Sequence, residues 1–458
     1  MEDMKNGKRS SFSGKLGYVL AAAGASVGLG NIWRFPYLAA KYGGGIFLII
    51  YIVLALTFGY TMIVAETAIG RMTRKSPVGA FKSFGKKKWL SFGGWINAVI
   101  PVLIVPYYSV IGGWVIKYLV EYFRGNAKLL AEDGYFTDFI SNGVSTELCF
   151  VAFCAFTLII IFAGVQNGIE RVSKIMMPIL IVLSVIIAVY SVTRPGALAG
   201  VKYFIVPNVK NFSWMTVVTA MGQMFYSLSI AMGILITFGS YMKKDTAIED
   251  STRNVEIFDT GIAIMAGLMI IPAVFAFSGG DPDTLQAGPS LMFITIPKVF
   301  QNMGFGTVIG IVFFVLVLFA AVTSSIALTE SAVSTFEDEL GWGRKKATVL
   351  VGVIMLALGS LSSLGYGPLA GIKIIGMQFL DLFDFLTNSV MMPIAALLTS
   401  LLVSRVVGID KIEEEIIHGE SAFRRKKVFV VMIKYLCPVF AIIILLSSVA
   451  NALGWIKM

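Results

Sequence analysis

Along the chain, apolar runs long enough to cross a bilayer alternate with short polar segments rich in lysine and arginine. The pattern predicts eleven membrane-spanning helices, at 16–40, 44–70, 91–122, 147–164, 173–192, 214–240, 255–278, 304–336, 346–363, 374–403 and 428–454. Each reaches the roughly 17 to 25 residues that a crossing helix needs. Residues 1–15 read as a basic arm, 124–146 as an outer loop carrying Glu132, Asp133 and Asp138, and 404–427 as a charged inner loop. Residues 279–303 open on G-G-D-P-D and continue semi-apolar through 293–300. That stretch is too short and interrupted to span, and a re-entrant or lid-like hairpin fits it better.

Two of the spans are interrupted where a lipid-facing helix would be continuous. The first reads G-A-S-V-G-L-G-N-I-W-R-F-P over 24–36, with Gly24, Gly28 and Gly30 in seven positions, followed by Asn31 and Arg34. Glycine weakens a helix, and freed N–H and C=O groups cost several kcal/mol in hydrocarbon unless protein or a ligand takes them up. Glycines alone would also fit a tight helix–helix contact. Packing does not need Asn31 and Arg34, so a broken helix around a polar mid-membrane site is the reading that accounts for both. The sixth span repeats the theme as G-Q-M-F-Y-S-L-S-I-A-M-G over 222–233, with Ser227 and Ser229 in its middle. Serine can bond back to its own helix. Two interrupted helices, one opening each five-span half, nonetheless point to an inverted-repeat transporter site.

Composition agrees with a polytopic membrane protein: 57% of the 458 residues are hydrophobic and 14% charged. The formal charge of +10 sits mainly in short loops. With the N-terminus inside, the cytoplasmic segments hold 25 of the 37 Lys and Arg residues, which is the positive-inside pattern, not a nucleic-acid surface. An odd number of spans then puts the C-terminus outside. Cys149, Cys154 and Cys437 lie in apolar runs with no C-x-x-C, so neither a structural disulfide nor a metal–thiolate centre is expected. The single histidine, His418, lies in a charged loop, which argues against a histidine zinc site or proton relay. No G-x-x-x-x-G-K-[ST] occurs, so no ATP motor is expected. The glycine-broken first span with its W-R-F-P run does not read as a removable signal peptide.

Candidate chemistry is confined to a few positions. Thr323, Ser324 and Ser325 stand together in the otherwise aliphatic eighth span. They are either hard oxygen ligands for a small cation or helix–helix hydrogen bonders. The acids near membrane depth are Glu66, Glu256, Asp259, Glu330, Asp381 and Asp384. Asp259 sits inside the seventh span and requires a partner, for which a bound cation or water near the inner end would serve.

Taken in order, these residues resemble the neurotransmitter:sodium symporters, in particular their bacterial amino-acid transporter branch. The resemblance rests on G-A-S-V-G-L-G-N-I-W-R-F-P and the glycines 43–45, E-T-A-I-G-R from Glu66, and P-Y-Y from Pro106. It continues through G-Q-x-F-Y-S-L-S from Gly222, T-S-S-I-A from Thr323 and E-D-E-L from Glu337. It implies an all-α polytopic fold of eleven helices, with a 5+5 inverted repeat over 16–192 and 214–403 and broken first and sixth helices. The eleventh helix and outer C-terminus would occupy 428–458.

The resemblance also implies two sodium sites. The first would use the carbonyl of Ser26 and the side chains of Asn31, Ser227 and Asp259, completed by a bound amino-acid carboxylate. The second would use the carbonyls of Gly24, Val27 and Ala320 with the hydroxyls of Thr323 and Ser324. Leu29 and Gly30 amides and the Tyr108 hydroxyl would hold the substrate carboxylate, with Ser26 also among the substrate-binding residues, in keeping with half-helix N-termini facing an anion. Its side chain would meet Ile104, Tyr108, Tyr226, Ser229, Met232, Ser324 and Leu328. Met232 stands where relatives place an aromatic wall; as an adaptable residue it favours a large apolar or aromatic L-amino acid, unless it is ordinary filling. Arg34 and Asp384 would close the outer side with Tyr226 as lid, and Arg9 and Asp338 the inner side, near Phe12, Ser240 and Tyr241. As bare sequence, Arg9 and Asp338 would read as solvated charges. Asp259 supplies a fixed negative charge beside the first sodium site, so chloride independence is expected, with proton counter-movement if it protonates on return.

The expectation is therefore a sodium-coupled symporter in a bacterial cytoplasmic membrane, with a small-molecule L-amino acid, the bilayer and no nucleic acid as partners. A non-transporting sensor of the same fold is the alternative. A channel has no need of paired gates, and no nucleophile–base pair points to an enzyme.

Overall fold

The computed structural model of the chain describes residues 9–279, 288–452 and 454–455. It is all-helical, with two isolated β-bridges, Gly44–Pro207 and Ile374–Met377, as the extended pairings among the described residues. The first span is a bent pair, α1 (Lys15–Ser26) and α2 (Gly30–Lys41), whose axes differ by 53°. Then follow α3 (Gly45–Thr73), α4 (Lys88–Phe123), α5 (Gly143–Phe162) and α6 (Val165–Val192). The second half opens with α7 (Trp214–Ser227) and α8 (Ile234–Tyr241), separated by a six-residue break. After them come α9 (Ile248–Ser278), α10 (Leu291–Gln301), α11 (Gly306–Leu340), α12 (Arg344–Leu364), α13 (Phe379–Val407), α14 (Ile409–Ile417) and α15 (Lys426–Ala452).

Among the described residues, nine helices are individually long and apolar enough to cross a membrane, ten with the bent pair counted as one. The predicted sixth span, 214–240, accounts for the difference from eleven: it is present as α7 and α8, 14 and 8 residues long, each too short to cross alone. Several helices extend beyond the apolar window, as α9 does by starting at Ile248 with Glu249 and Asp250 in its first turn, because acids suit a helix N-terminus. The tenth predicted span begins late. Residues 374–378 form a tight turn with Ile375 and Gly376 at positive φ, and α13 starts only at Phe379. Of the expected hairpin at 279–303, residues 280–287 lie outside the described residues, and α10 carries the semi-apolar part.

The broken pairs sit at the centre and the continuous helices surround them. α4 packs along α11, α8 along α3, and α1 against α9 and α11. The α3–α8 contact depends on Gly70: a Cβ there would lie 2.0 Å from the carbonyl oxygen of Ile236. Outward-facing aliphatic side chains such as Ile159, Ile175, Val182, Val353 and Leu446 remain exposed on α5, α6, α12 and α15. The interior, by contrast, holds Asn31, Glu66 and Asp259 fully buried. That inside-polar, outside-apolar arrangement suits a protein solvated by lipid.

Candidate functional site

The two helix breaks face each other, and their polar residues meet there. In α7–α8 the break includes Ser229 at φ +52° and Ala231 at φ +58°, left-handed conformations that an L side chain seldom adopts. The segment is held by side chains rather than by a helical ladder. Ser229 Oγ donates to the Ala25 carbonyl at 2.9 Å, and the Ala231 N–H donates to Glu66 Oε1 at 2.7 Å. On the α1–α2 side, Gln223 Nε2 donates to the Gly30 carbonyl at 3.0 Å and the Gly28 N–H to Asn31 Oδ1 at 3.1 Å. Backbone groups released by the breaks are thus taken up by side chains, those of the other half at Gly30 and Ala231 and that of Asn31 at Gly28, as burial requires.

Between the breaks lies a small cavity of about 20 Å³. All ten residues named from sequence for a substrate line it: Ser26, Leu29, Gly30, Ile104, Tyr108, Tyr226, Ser229, Met232, Ser324 and Leu328, together with Ala25, Gly28 and Asn31. The Leu29 N–H donates to the Tyr108 hydroxyl at 3.3 Å. Tyr226 lies directly over Gly30, where a Cβ would come within 2.4 Å of its ring, so only glycine lets that ring approach the backbone.

Beside the cavity is a carboxylate cluster. Asn31 Nδ2 donates to Asp259 Oδ1 at 2.8 Å and to Ser227 Oγ at 2.9 Å, and Ser227 Oγ donates to Asp259 at 2.8 Å. Tyr51, which sequence reasoning did not single out, donates to Asp259 Oδ2 at 2.9 Å. Its only signal was a tyrosine in the aliphatic run I-I-Y-I-V. Ser26, expected in the same set through its carbonyl, lines the cavity together with Asn31, while its Oγ donates back along α1 to the Ala22 carbonyl at 3.1 Å.

A second oxygen cluster joins α1 to α11. Ser324 Oγ lies 3.2 Å from the Gly24 carbonyl, 3.2 Å from that of Ala25 and 3.4 Å from that of Val27. Thr323 Oγ1 lies 3.2 Å from the Ala320 carbonyl. The five residues expected for a second cation site therefore converge. Neutral hydroxyls and carbonyls form the kind of hard donor set a sodium ion takes, and among the described residues no three His, Cys, Asp or Glu side chains gather into a site for a transition metal.

The candidate gates differ in state. On one side the Arg9 guanidinium is ion-paired with Asp338, and its other donors reach Ser240 Oγ at 3.0 Å and Ser334 Oγ at 2.8 Å. Arg9 also lies over the Tyr241 ring, and Phe12 is buried edge-on against Tyr18, Phe238 and Tyr241. On the other side Arg34 and Asp384 both line a cavity of about 460 Å³. They are not joined: among the described residues no ion pair links them. Arg34 stacks over Tyr226 at 5.3 Å, while Asp384 accepts from Tyr107 at 3.2 Å and Asn388 at 2.6 Å. Sequence reasoning named the residues but not the separation.

Comparison with known proteins places this arrangement. The description Sodium:neurotransmitter symporter family matches residues 9–133 and 134–455. An uncharacterised sodium-dependent transporter of Bacillus subtilis is 34% identical over 450 residues, covering 97% of this chain and 99% of that protein. The human sodium- and chloride-dependent GABA transporter 2 is 26% identical over 474 residues, covering 89% and 75%. The crystal structure of MhsT in complex with L-phenylalanine matches with a TM-score of 0.86 at 34% identity, over 96% of this chain and 100% of that one. With both halves matched and the fold shared end to end, the chain belongs to the sodium:neurotransmitter symporter family, as a sodium-dependent, multi-pass membrane transporter and not an enzyme.

Proposed function

We propose that the protein carries a large apolar or aromatic L-amino acid into the cell with sodium, by alternating access around the cavity between the two helix breaks. The observation that carries this reading is the enclosure of one cavity by Leu29, Gly30 and Tyr108 on its polar side and Ile104, Met232 and Leu328 on its apolar side, directly beside Asn31, Ser227 and Asp259. A substrate carboxylate at the Leu29 and Gly30 amides would lie next to that cluster and complete a first sodium site with Ser26, Asn31, Ser227 and Asp259. Binding of ion and substrate would then be thermodynamically coupled. Gly24, Val27, Ala320, Thr323 and Ser324 form the second. The likeness to a structure holding L-phenylalanine supports the substrate class.

Asp259 provides a fixed anion where chloride would otherwise be needed, so transport proceeds without chloride. Each sodium moved inward gains about 2.3 kcal/mol per 100 mV and about 1.4 kcal/mol per tenfold gradient, so two ions support several decades of accumulation. Residues 16–192 and 214–403 are read as the two inverted repeats, each opening on a broken helix. The excess of Lys and Arg in the segments on one side of the membrane supports a cytoplasmic arm 1–15 and loop 404–427, with Arg9 and Asp338 on the cytoplasmic side and the C-terminus outside a bacterial inner membrane.

The test is uptake of labelled L-amino acids into proteoliposomes, with an inward sodium gradient set against potassium or choline and chloride replaced by gluconate. Concentrative, sodium-driven uptake of aromatic or branched substrates without chloride supports the reading. Saturable binding that no sodium gradient converts into accumulation replaces it with a sensor of the same fold.

A further inference from the structure

Between the start of α5 and the end of α12 runs a groove of about 530 Å³ that belongs to neither the central cavity nor the vestibule. Its walls are aliphatic and face outward, with Val144 73% and Leu148 67% exposed. The floor is tight: a Cβ on Gly143 would lie 2.9 Å from Pro368. Tyr366, just beyond α12, lines the vestibule with Arg34 and Asp384, so the groove lies at the same end of the bundle as that pair.

One group in the groove does not belong with an aliphatic wall. Glu147 lines it, one turn into α5, and carries a carboxylate with a single donor, the Ser360 hydroxyl of α12. Its Oε2 is shielded from water and, among the described residues, has no hydrogen-bond partner. Among the described residues no lysine or arginine pairs with it. A carboxylate satisfied by one neutral hydroxyl at a lipid-facing surface is costly. A primary ammonium would satisfy it, and the apolar walls beside it fit an acyl chain.

We propose that this groove binds phosphatidylethanolamine, with the lipid ammonium on the Glu147 carboxylate and a chain along Val144, Leu148 and Val151. Binding in this mode requires the Glu147 side chain to turn so that Oε2, shielded in this conformation, meets the headgroup. No cationic side chain lines the groove, so recognition runs through the ammonium and not the phosphate. A choline headgroup has no N–H to donate, and a glycerol headgroup has no cation.

The full-length protein in detergent is titrated separately with phosphatidylethanolamine, phosphatidylcholine and phosphatidylglycerol, and bound lipid is counted by native mass spectrometry. The wild type should hold phosphatidylethanolamine roughly tenfold more tightly than the other two, the worth of one hydrogen bond to a charged group. Glu147→Gln should abolish that preference, and Val144→Trp, which crowds the wall without touching the carboxylate, should weaken phosphatidylethanolamine binding. Equal binding of the three lipids by the wild type, a preference that survives Glu147→Gln, binding indifferent to Val144→Trp, or a dimer that covers this face without lipid would each overturn the assignment.

Discussion

Asn31, just beyond the α1–α2 break, donates its side-chain amide to Asp259 of α9 at 2.8 Å, across 228 residues of sequence. That contact ties the broken helix to the carboxylate of the cluster beside the central cavity. Replacing Asp259 with Asn keeps the volume but removes the charge and sets an amide where Asn31 already donates. Apparent sodium affinity should fall at least roughly tenfold, because interactions with a charged group are worth about 1.5–3 kcal/mol. Sodium titration of uptake reads it, and an unchanged sodium dependence would remove Asp259 from the cation site.

Much of both polar clusters was legible in the sequence, for a physical reason. Asn31, Ser227, Asp259, Thr323 and Ser324 are polar residues in stretches where lipid or packing would select aliphatic ones, so each stands out against its own span. Tyr51 does not: a tyrosine passes for an aromatic anchor, and only the fold shows its hydroxyl on Asp259. Gln223 was visible in a motif, but its hydrogen bond to the Gly30 carbonyl depends on how the two breaks face each other. Likewise, Arg34 and Asp384 could be named, whereas the stacking of Arg34 on Tyr226 is a matter of conformation. The late start of α13 was hidden because hydropathy reads 374–378 as span and does not register a turn.

Tyr51→Phe isolates the hydroxyl that donates to Asp259 and, at 3.0 Å, to Ser227. The ring stays packed against Phe35, so the fold should hold. Sodium affinity should change by several-fold, less than for Asp259→Asn, because one donor is lost and the charge is kept. The melting temperature serves as the control, and a large loss of stability with unaltered sodium affinity would make Tyr51 structural only.

Thr323→Ala removes a hydroxyl from the second oxygen cluster and leaves the first untouched. If both clusters take sodium, the sodium dependence of uptake should lose cooperativity, its Hill coefficient falling from about 2 toward about 1. Direct sodium binding measured without substrate should fall as well. A variant with wild-type cooperativity would leave only the Asp259 cluster as a cation site.

Gly70→Ala tests the α3–α8 contact. The added Cβ meets the Ile236 carbonyl oxygen at 2.0 Å and the Ser240 nitrogen at 2.9 Å, both backbone atoms that cannot rotate away. The cost should be about 1–3 kcal/mol or more, read as a lower melting temperature in detergent. Gly261→Ala is the matched control, since nothing lies within 4 Å of its Cβ and alanine suits a helix interior better.

Arg9 gathers Asp338, Ser240 and Ser334 around one guanidinium, and Asp338 in turn accepts the Ser76 N–H at 2.6 Å. Four segments of the chain therefore meet at one ion pair, while the Arg34 side stands open to a cavity of about 460 Å³. If the pair holds the inner side shut, Arg9→Ala should shift the population toward inward-open forms, since only contacts that differ between two states can bias them. The readout is a cysteine at Thr237, wholly buried on α8, in a background lacking Cys149, Cys154 and Cys437. Its labelling from the inner side should quicken several-fold in Arg9→Ala, and Asp338→Asn should act the same way. Steady-state accumulation should fall in both, because a site that opens inward without its ions lets substrate leak down its gradient. Labelling as slow as in the parent would mean that Phe12, packed against Tyr18, Phe238 and Tyr241, seals the inner side without help from the ion pair.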